Sequence, residues 1–414
     1  MNPYRIESLH LTQVGPFEEL ELVLPVTPEN EKAEVHILTG ENGTGKTSVL
    51  EAIATIFGGN SKRLVLDKMS EMSRIDLCIY SNISLFFDRT SPSNSSTIFS
   101  GTITEEAIDG KTKYCGFAYS GNRQFKDTYI RGTQEQTRFP LYDSLEFESS
   151  INFEDFLQWV VNTRTRELVS KAKNKQGIAN QQRKNLKTLE QALSTIVDSE
   201  LFFDVDEENF QPKINVDRQL LNFNQIPDGL KSMVSWLGDL LMRMDRIQWD
   251  NDIPVLERPF LLLLDEIDVH LHPAWQRKIL PMVQSLFPNA QVIVSTHSPF
   301  VVGSVDGAWV HRFKKEGTRS VLDGPPILSE DARSYEYILE EIFGIKEHFG
   351  IEVEKRLTEF QQLKKQLLKR DETFDESRFR QLIDELRGQS TELDSLLGME
   401  LNQLQRLTQK SFIE

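Results

Sequence analysis

Cysteine is nearly absent from this 414-residue chain: only Cys78 and Cys115 occur. Two thiols cannot build a disulfide framework and lack the spacing of a metal site, so both are expected to be inert core thiols in a reducing cytoplasm. A run of 18 apolar residues is also missing, which excludes a helical membrane span. The opening MNPYRIESLHLT carries polar groups at every second position instead of an apolar signal core, and an N-terminal strand is expected. Positive charge is scarce. Lys and Arg number 47 against 63 Asp and Glu, a net charge of −16 that argues against a broad DNA-coating surface and leaves room only for a local basic patch. No internal repeat is evident. With 39% hydrophobic and 27% charged residues, the composition is that of a globular protein of two or three domains.

The patterning that is present alternates. IESLHLTQVG and LELVLPV show the period-two spacing of strands, VHILTG is a short apolar run, and KTSVLEAIATIFG has helical spacing. Between about 72 and 120, segments such as IDLCIY, ISLFF, TIFSGTI and YCGFAY predict an antiparallel meander. From 150 to 200 the periodicity turns helical, with FEDFLQWVV and LKTLEQALSTIV as amphipathic candidates. Residues 226 to about 312 return to a helix, the strand FLLLLD, a helix and the strand QVIVSTH, the order of a mostly parallel sheet. Beyond 328 only amphipathic helices are expected. The division that follows is 1–149 and 226–327 as two halves of one α/β head, 150–225 as a helical insert between them, and 328–414 as a helical domain suited to binding a partner.

Three motifs carry chemistry. Gly40-Glu41-Asn42-Gly43-Thr44-Gly45-Lys46-Thr47 fits GxxxxGK[ST] and lies after a strand and before a helix, where a phosphate loop belongs. Phosphates are anionic, so such a loop offers converging backbone N–H groups at a helix N-terminus, with glycines that let the chain approach. Asn42, Gly43, Thr44, Gly45, Lys46, Thr47 and Ser48 are therefore the candidate nucleotide contacts. Lys46 is expected on the β- and γ-phosphates and Thr47 on Mg²⁺. In Leu261-Leu262-Leu263-Leu264-Asp265-Glu266, a buried strand delivers two carboxylates to the carboxyl edge of a sheet. Asp265 would hold Mg²⁺ through water, and Glu266 would polarise the attacking water. QVIVSTH repeats the logic and presents His297 to a γ-phosphate. His270 and His272 lack a third ligand at suitable spacing and make a weak metal pair.

A basic stretch runs from Arg164 to Lys187, with Arg164, Arg166, Lys171, Lys173, Lys175, Arg183, Lys184 and Lys187 facing only Glu167. It is the best candidate for nucleic-acid contact, and a solvated helical face is the plainer alternative.

In this order the motifs resemble the ABC-type ATPase heads of the SMC and RecF group, specifically the overcoming-lysogenization-defect-like AAA ATPases, over residues 1 to about 312. The resemblance implies a P-loop ABC-ATPase head: a mixed sheet, an antiparallel β subdomain and a helical lobe. GENGTGKT would be Walker A, LLLLDE Walker B, IDVHLHP the D-loop and STHSP the carrier of the switch histidine. The signature LSGGEKS is similar to Ile226-Pro227-Asp228-Gly229-Leu230-Lys231-Ser232, where Gly229, Lys231 and Ser232 match. These three would touch ATP across a homodimer of heads. Pro227 and Asp228 depart from the family serine and glycine. Proline lacks a hydroxyl and an N–H, and a carboxylate near phosphates repels them unless it turns away, for instance to cap the helix, so slow or partner-dependent hydrolysis is implied. The Q-loop is placed at Ser120-Gly121-Asn122-Arg123-Gln124, with Gln124 on a Mg²⁺-bound water.

No long heptad arm interrupts the head and no nuclease motifs follow residue 330. The remaining outline resembles ATPase subunits of Septu-type antiphage systems, also found in some retrons, which work with a separate HNH nuclease. Two alternatives stay open: a RecF-like DNA-binding ATPase gripping DNA through Arg164–Lys187, and a scaffold that binds ATP and hardly turns it over.

Overall fold

The computed structural model describes residues 3–27, 31–57, 69–79, 83–88, 111–121, 129–130, 132–147, 151, 153–206, 208–330 and 333–409. They divide into two compact units, Met1–Phe343 and Gly344–Glu414.

The first unit is ordered by strands whose residues alternate between two cores. In chain order they are β1 (Ile6–Val14), β2 (Phe17–Val23), β3 (Glu34–Gly40), β4 (Met69–Ile79), β5 (Ile83–Asp88), β6 (Gly116–Tyr119), β7 (Leu201–Val205), β8 (Pro212–Val216), β9 (Gln219–Leu221), β10 (Leu261–Leu264), β11 (Gln291–Ser295), β12 (Trp309–Glu316), β13 (Arg319–Leu322) and β14 (Ile327–Leu328). The main sheet runs β13-β12-β3-β11-β10-β6, with β14 also on β12; β12, β3, β11, β10 and β6 are mutually parallel. A strand covered on both faces must be apolar throughout, and β10 is four buried leucines. Leu262 and Leu264 enter one core, Leu261 and Leu263 the other.

The first core lies under α2 (Phe153–Ala172), α3 (Gln176–Val197) and α4 (Asp228–Arg246); the second lies under α1 (Lys46–Ile56) and the antiparallel sheet β2-β1-β4-β5. This unit also holds the helices α5 (Pro273–Leu286) and α6 (Pro299–Val302). A buried network ties α4 to the sheet edge: Tyr119 Oη donates to Asp239 Oδ2 (2.9 Å), while Arg243 donates to Asp239 Oδ2 (2.6 Å) and Asp143 Oδ1 (2.8 Å). Each buried charge thus has an opposite partner, the condition for keeping it inside.

Two expectations change. The segment YCGFAY is not part of an antiparallel meander: β6 pairs in parallel with β10, Tyr119 opposite Leu264, because all four of its residues are buried and fit a two-sided core. TIFSGTI lies outside the described residues. After the two helices between 150 and 200, β7, β8 and β9 form a small antiparallel sheet that the helical periodicity did not announce.

At the start of β3, His36 and His311 form a buried pair on neighbouring strands, His36 Nδ1 to His311 Nε2 at 3.2 Å. His36 Nε2 lies 2.7 Å from Glu34 Oε1. An ionised carboxylate only accepts, so His36 carries its proton on Nε2 and its Nδ1 accepts from the His311 Nε2–H. Burial holds both imidazoles below the usual 6.5, His311 well below. As pH falls beneath 6.5 the unfolded chain therefore takes up protons that the folded chain refuses. This contribution to stability is full above 6.5 and is lost on acidification. We expect the melting temperature to drop between pH 7 and pH 5, and His311→Gln to shrink that drop by roughly 2 to 5 °C; an unaltered pH slope in the variant contradicts the assignment.

The described residues of the second unit form three amphipathic helices, α7 (Ile351–Lys369), α8 (Glu376–Leu386) and α9 (Thr391–Thr408). Their apolar stripes meet in a core of their own around Phe360, Phe379, Ile383, Leu393, Leu397 and Leu404, with the rings of Phe360 and Phe379 stacked at 5.0 Å. Strand β14 and the helical turns Tyr335–Tyr337 and Ile338–Ile342 belong to the first unit. Among the described residues no helix is long and apolar enough to cross a membrane.

Candidate functional site

The carboxyl edge of the parallel sheet gathers most of the residues named from the sequence. Strand β3 ends at Gly40, and the chain turns through Glu41–Gly45 into α1. Three glycines make that turn possible, with φ of +145° at Gly40, +76° at Gly43 and +90° at Gly45. At Gly45 a Cβ would also come within 2.6 Å of the Phe17 ring and of Pro16. The first turn of α1 contains no acidic residue, so its N–H groups and dipole face the loop uncancelled. Lys46 Nζ donates to the carbonyls of Gly40 and Glu41, each at 2.9 Å. Burial pulls its ammonium below the ordinary lysine value, opposed by the negative charges of Asp265, Glu266 and Asp268.

Strands β10 and β11 end beside this loop. Thr47 Oγ1 donates to Asp265 Oδ2 (2.9 Å), joining the phosphate loop to the acidic pair. Ser295, the last residue of β11, donates to Asp265 Oδ1 (2.5 Å) and accepts from the Glu266 N–H (2.8 Å). One hydroxyl thus fixes both carboxylate residues. Glu266 has a φ of +47°, a conformation that costs a non-glycine residue roughly 1 kcal/mol or more and is tolerated where neighbours enforce it. Gly121, just past β6, leaves room for the Glu266 side chain: a Cβ there would meet Glu266 Oε2 at 2.6 Å.

His297 follows β11. Its loop is fastened by Asp268, which accepts from Thr296 Oγ1 (2.5 Å) and from the His297 N–H (3.4 Å). Gln276 donates to the Asp268 and Leu271 carbonyls and accepts from Ser298 Oγ (2.7 Å), closing the D-loop onto the histidine loop. Burial first, and then the charge of Lys46, lower the His297 imidazole below its usual value, so it is neutral at pH 7.

Pro16, Asn42, Gly43, Gly45, Lys46, Thr47, Ser48, Asp265, Glu266, Ser295 and His297 line one cleft of about 230 Å³. Thr44 sits beneath it, donating to the Glu41 carbonyl at 2.8 Å. The donor set of Thr47 and Asp265 is all oxygen, as a hard divalent cation such as Mg²⁺ requires.

The signature residues stand elsewhere. Gly229, Lys231 and Ser232 occupy the first two turns of α4 and do not line this cleft. Gly229 packs on the D-loop, where a Cβ would come within 2.6 Å of the His270 carbonyl. Asp228 does not cap α4, since Pro227 holds the cap position; it pairs instead with Lys231 at 3.1 Å. His272 Nδ1 accepts from the Ala274 N–H and caps α5. Gln124 lies outside the described residues.

The basic stretch is only partly surface. Arg164 is buried against Glu167 and Asp204, and Arg183 pairs with Glu167 and Glu190. Arg166, Lys173, Lys175, Lys184 and Lys187 remain exposed on α2, α3 and the turn between them.

With this geometry in view, residues 35–303 match the family described as "AAA domain, putative AbiEii toxin, Type IV TA system". The chain belongs to that family. It is a P-loop ATPase. Among curated proteins, the AAA-domain chain is similar to the Septu protein PtuA of Bacillus thuringiensis, 26% identical with 72% of each chain covered. Another relative is "Retron Ec83 probable ATPase" of Escherichia coli, 37% identical over 86 residues, 21% of this chain and 16% of that one. The SMC head domain from Thermotoga maritima aligns over 78% of this chain and 99% of its own length, at 15% identity and a TM-score of 0.42.

Sequence reasoning misses Ser295 and Gln276 and reaches Asp268 only as part of the D-loop IDVHLHP. Ser295 had a sequence signal: a lone hydroxyl closing the apolar run QVIV at the edge where ligands bind.

Proposed function

We propose that this AAA-domain chain is the nucleotide-driven subunit of a bacterial antiphage defence complex. The observation that carries the catalytic half is the single cleft uniting Lys46, Thr47, Asp265, Glu266 and His297. Similarity to the Septu protein over 72% of both chains supports the defence context.

Lys46 and the N–H groups of the loop bind the β- and γ-phosphates, while Thr47 and, through water, Asp265 would hold the metal. A magnesium ion held there would supply charge neutralisation to the phosphates. Glu266 orients the attacking water and takes up its proton as a general base. A neutral His297 donates a hydrogen bond to the γ-phosphate from one ring nitrogen.

Gly229, Lys231 and Ser232 are outside the cleft of their own chain, so contact with a nucleotide needs a second head facing the first. This supports a homo-oligomer closed by ATP. The Asp228–Lys231 pair would hold that carboxylate away from the phosphates, which bears on how far this signature slows turnover.

The second unit suits a partner-docking role, with the nuclease of HNH type as its occupant. Met399 and Leu407 are 70% and 62% exposed on α9, whereas Leu393, Leu397, Leu401 and Leu404 of the same helix are buried. We expect the full chain to capture its co-encoded nuclease and a chain lacking residues 344–414 not to. Equal capture by both contradicts the docking role. A DNA-binding reading is favoured by the exposed Lys173, Lys175, Lys184 and Lys187; it predicts salt-dependent DNA binding by the lone protein.

A further inference from the structure

The phosphate loop has a second lysine beside it. β12 runs parallel to β3 with Phe313 opposite Gly40, and then continues past that partner, so Lys314, Lys315 and Glu316 stand beyond the sheet edge where the loop begins. Successive strand residues point to opposite sides. Lys314 turns to Glu316 (3.3 Å) and Asp323 (3.2 Å), which satisfy its charge. Lys315 turns the other way, toward the loop. A methyl group at Gly43 would lie 3.4 Å from Lys315 Nζ and 3.7 Å from its Cε. Lys315 is exposed and has no ion-pair partner among the described residues.

The hairpin that carries it is fixed to the rim of the cleft. Gly317 makes the turn at a φ of +66°, the Ser320 N–H donates to the Pro16 carbonyl (3.0 Å), and Arg319 pairs with Glu18. Pro16 is itself part of the cleft lining. Lys315 also lies near enough to Lys46 for the two positive charges to oppose each other. An ammonium held beside another, without a carboxylate of its own, gains nothing from that position until a polyanion lies on the loop. Its stem of about 6 Å is flexible enough to follow such an anion.

We propose that Lys315 is a second phosphate-binding residue of this site, folding over the Gly43 turn to meet the triphosphate of the bound nucleotide. The proposal rests on the nucleotide reading of the Lys46 cleft. Titration calorimetry of the full chain with Mg-ATP tests both separately. Lys315→Gln should weaken ATP binding by about three- to tenfold, the range of a partly exposed charge-assisted contact, and Lys315→Arg should restore it to within about twofold. If the unaltered protein binds ATP, but Lys315→Gln binds it within about twofold of that protein, the Lys315 proposal is overturned. Equal weakening by Lys315→Arg and Lys315→Gln also overturns it, because an arginine keeps the charge. Absence of ATP binding by the unaltered protein would remove the nucleotide reading and this proposal with it.

Discussion

Glu266→Gln is expected to bind ATP as the parent does and to hydrolyse it at most about one hundredth as fast, the usual contribution of a general base. Glutamine keeps the shape of glutamate and its hydrogen-bonding reach but cannot take up a proton. The side chain is exposed to the cleft beside Gly121, while the backbone N–H of residue 266 is held by Ser295, so the substitution leaves the scaffold alone. Phosphate release measured beside nucleotide binding separates the two effects. Turnover equal to the parent's would remove Glu266 from catalysis. A trapped ATP state should also lengthen the life of the head-to-head assembly, so the same variant should sediment as a larger species in Mg-ATP.

Gly40→Ala should be the most damaging small substitution in the first unit. Its φ of +145° is open to glycine almost alone, and a Cβ there would stand 2.2 Å from the Phe313 carbonyl oxygen. That oxygen belongs to the β12 backbone paired with β3, so neither partner can yield without breaking the ladder. We expect a loss of about 3 to 5 kcal/mol in chemical denaturation, enough to deplete the folded protein. Gly317→Ala is the control. Its φ of +66° is also left-handed but nothing lies within 4 Å of the added carbon, so only the backbone term of about 1 kcal/mol applies. Equal stability of the two variants would show that the crowding at Gly40 is not what constrains it.

What could be read from residues alone followed from local grammar. The phosphate loop, β10 and β11 each announce themselves within a dozen residues, because a loop that cradles phosphate needs glycines at fixed offsets and a strand buried on both faces must be apolar. The meeting of Thr47 with Asp265, 218 residues apart, followed from the rule that parallel strands bring their carboxyl ends to one edge. Pairing partners were harder. YCGFAY is as apolar as a meander strand would be, and only the long-range match of Tyr119 to Leu264 assigns it to the main sheet. Charge was harder still. Arg164 and Arg183 read as part of a basic surface because their acidic partners, Asp204 and Glu190, come from other turns and strands. Asp228 is a similar case: position suggested a helix cap, and the nearer ammonium of Lys231 claimed the carboxylate.

A structure of the full chain with Mg²⁺ and a non-hydrolysable ATP analogue bears most directly on the whole account. It should show Lys46 Nζ moved from the Gly40 and Glu41 carbonyls onto the β- and γ-phosphates, the metal on Thr47 Oγ1 and in water-mediated contact with Asp265, and His297 facing the γ-phosphate. A nucleotide seated away from Asp265 and Glu266, with Lys46 still on its loop carbonyls, would contradict it.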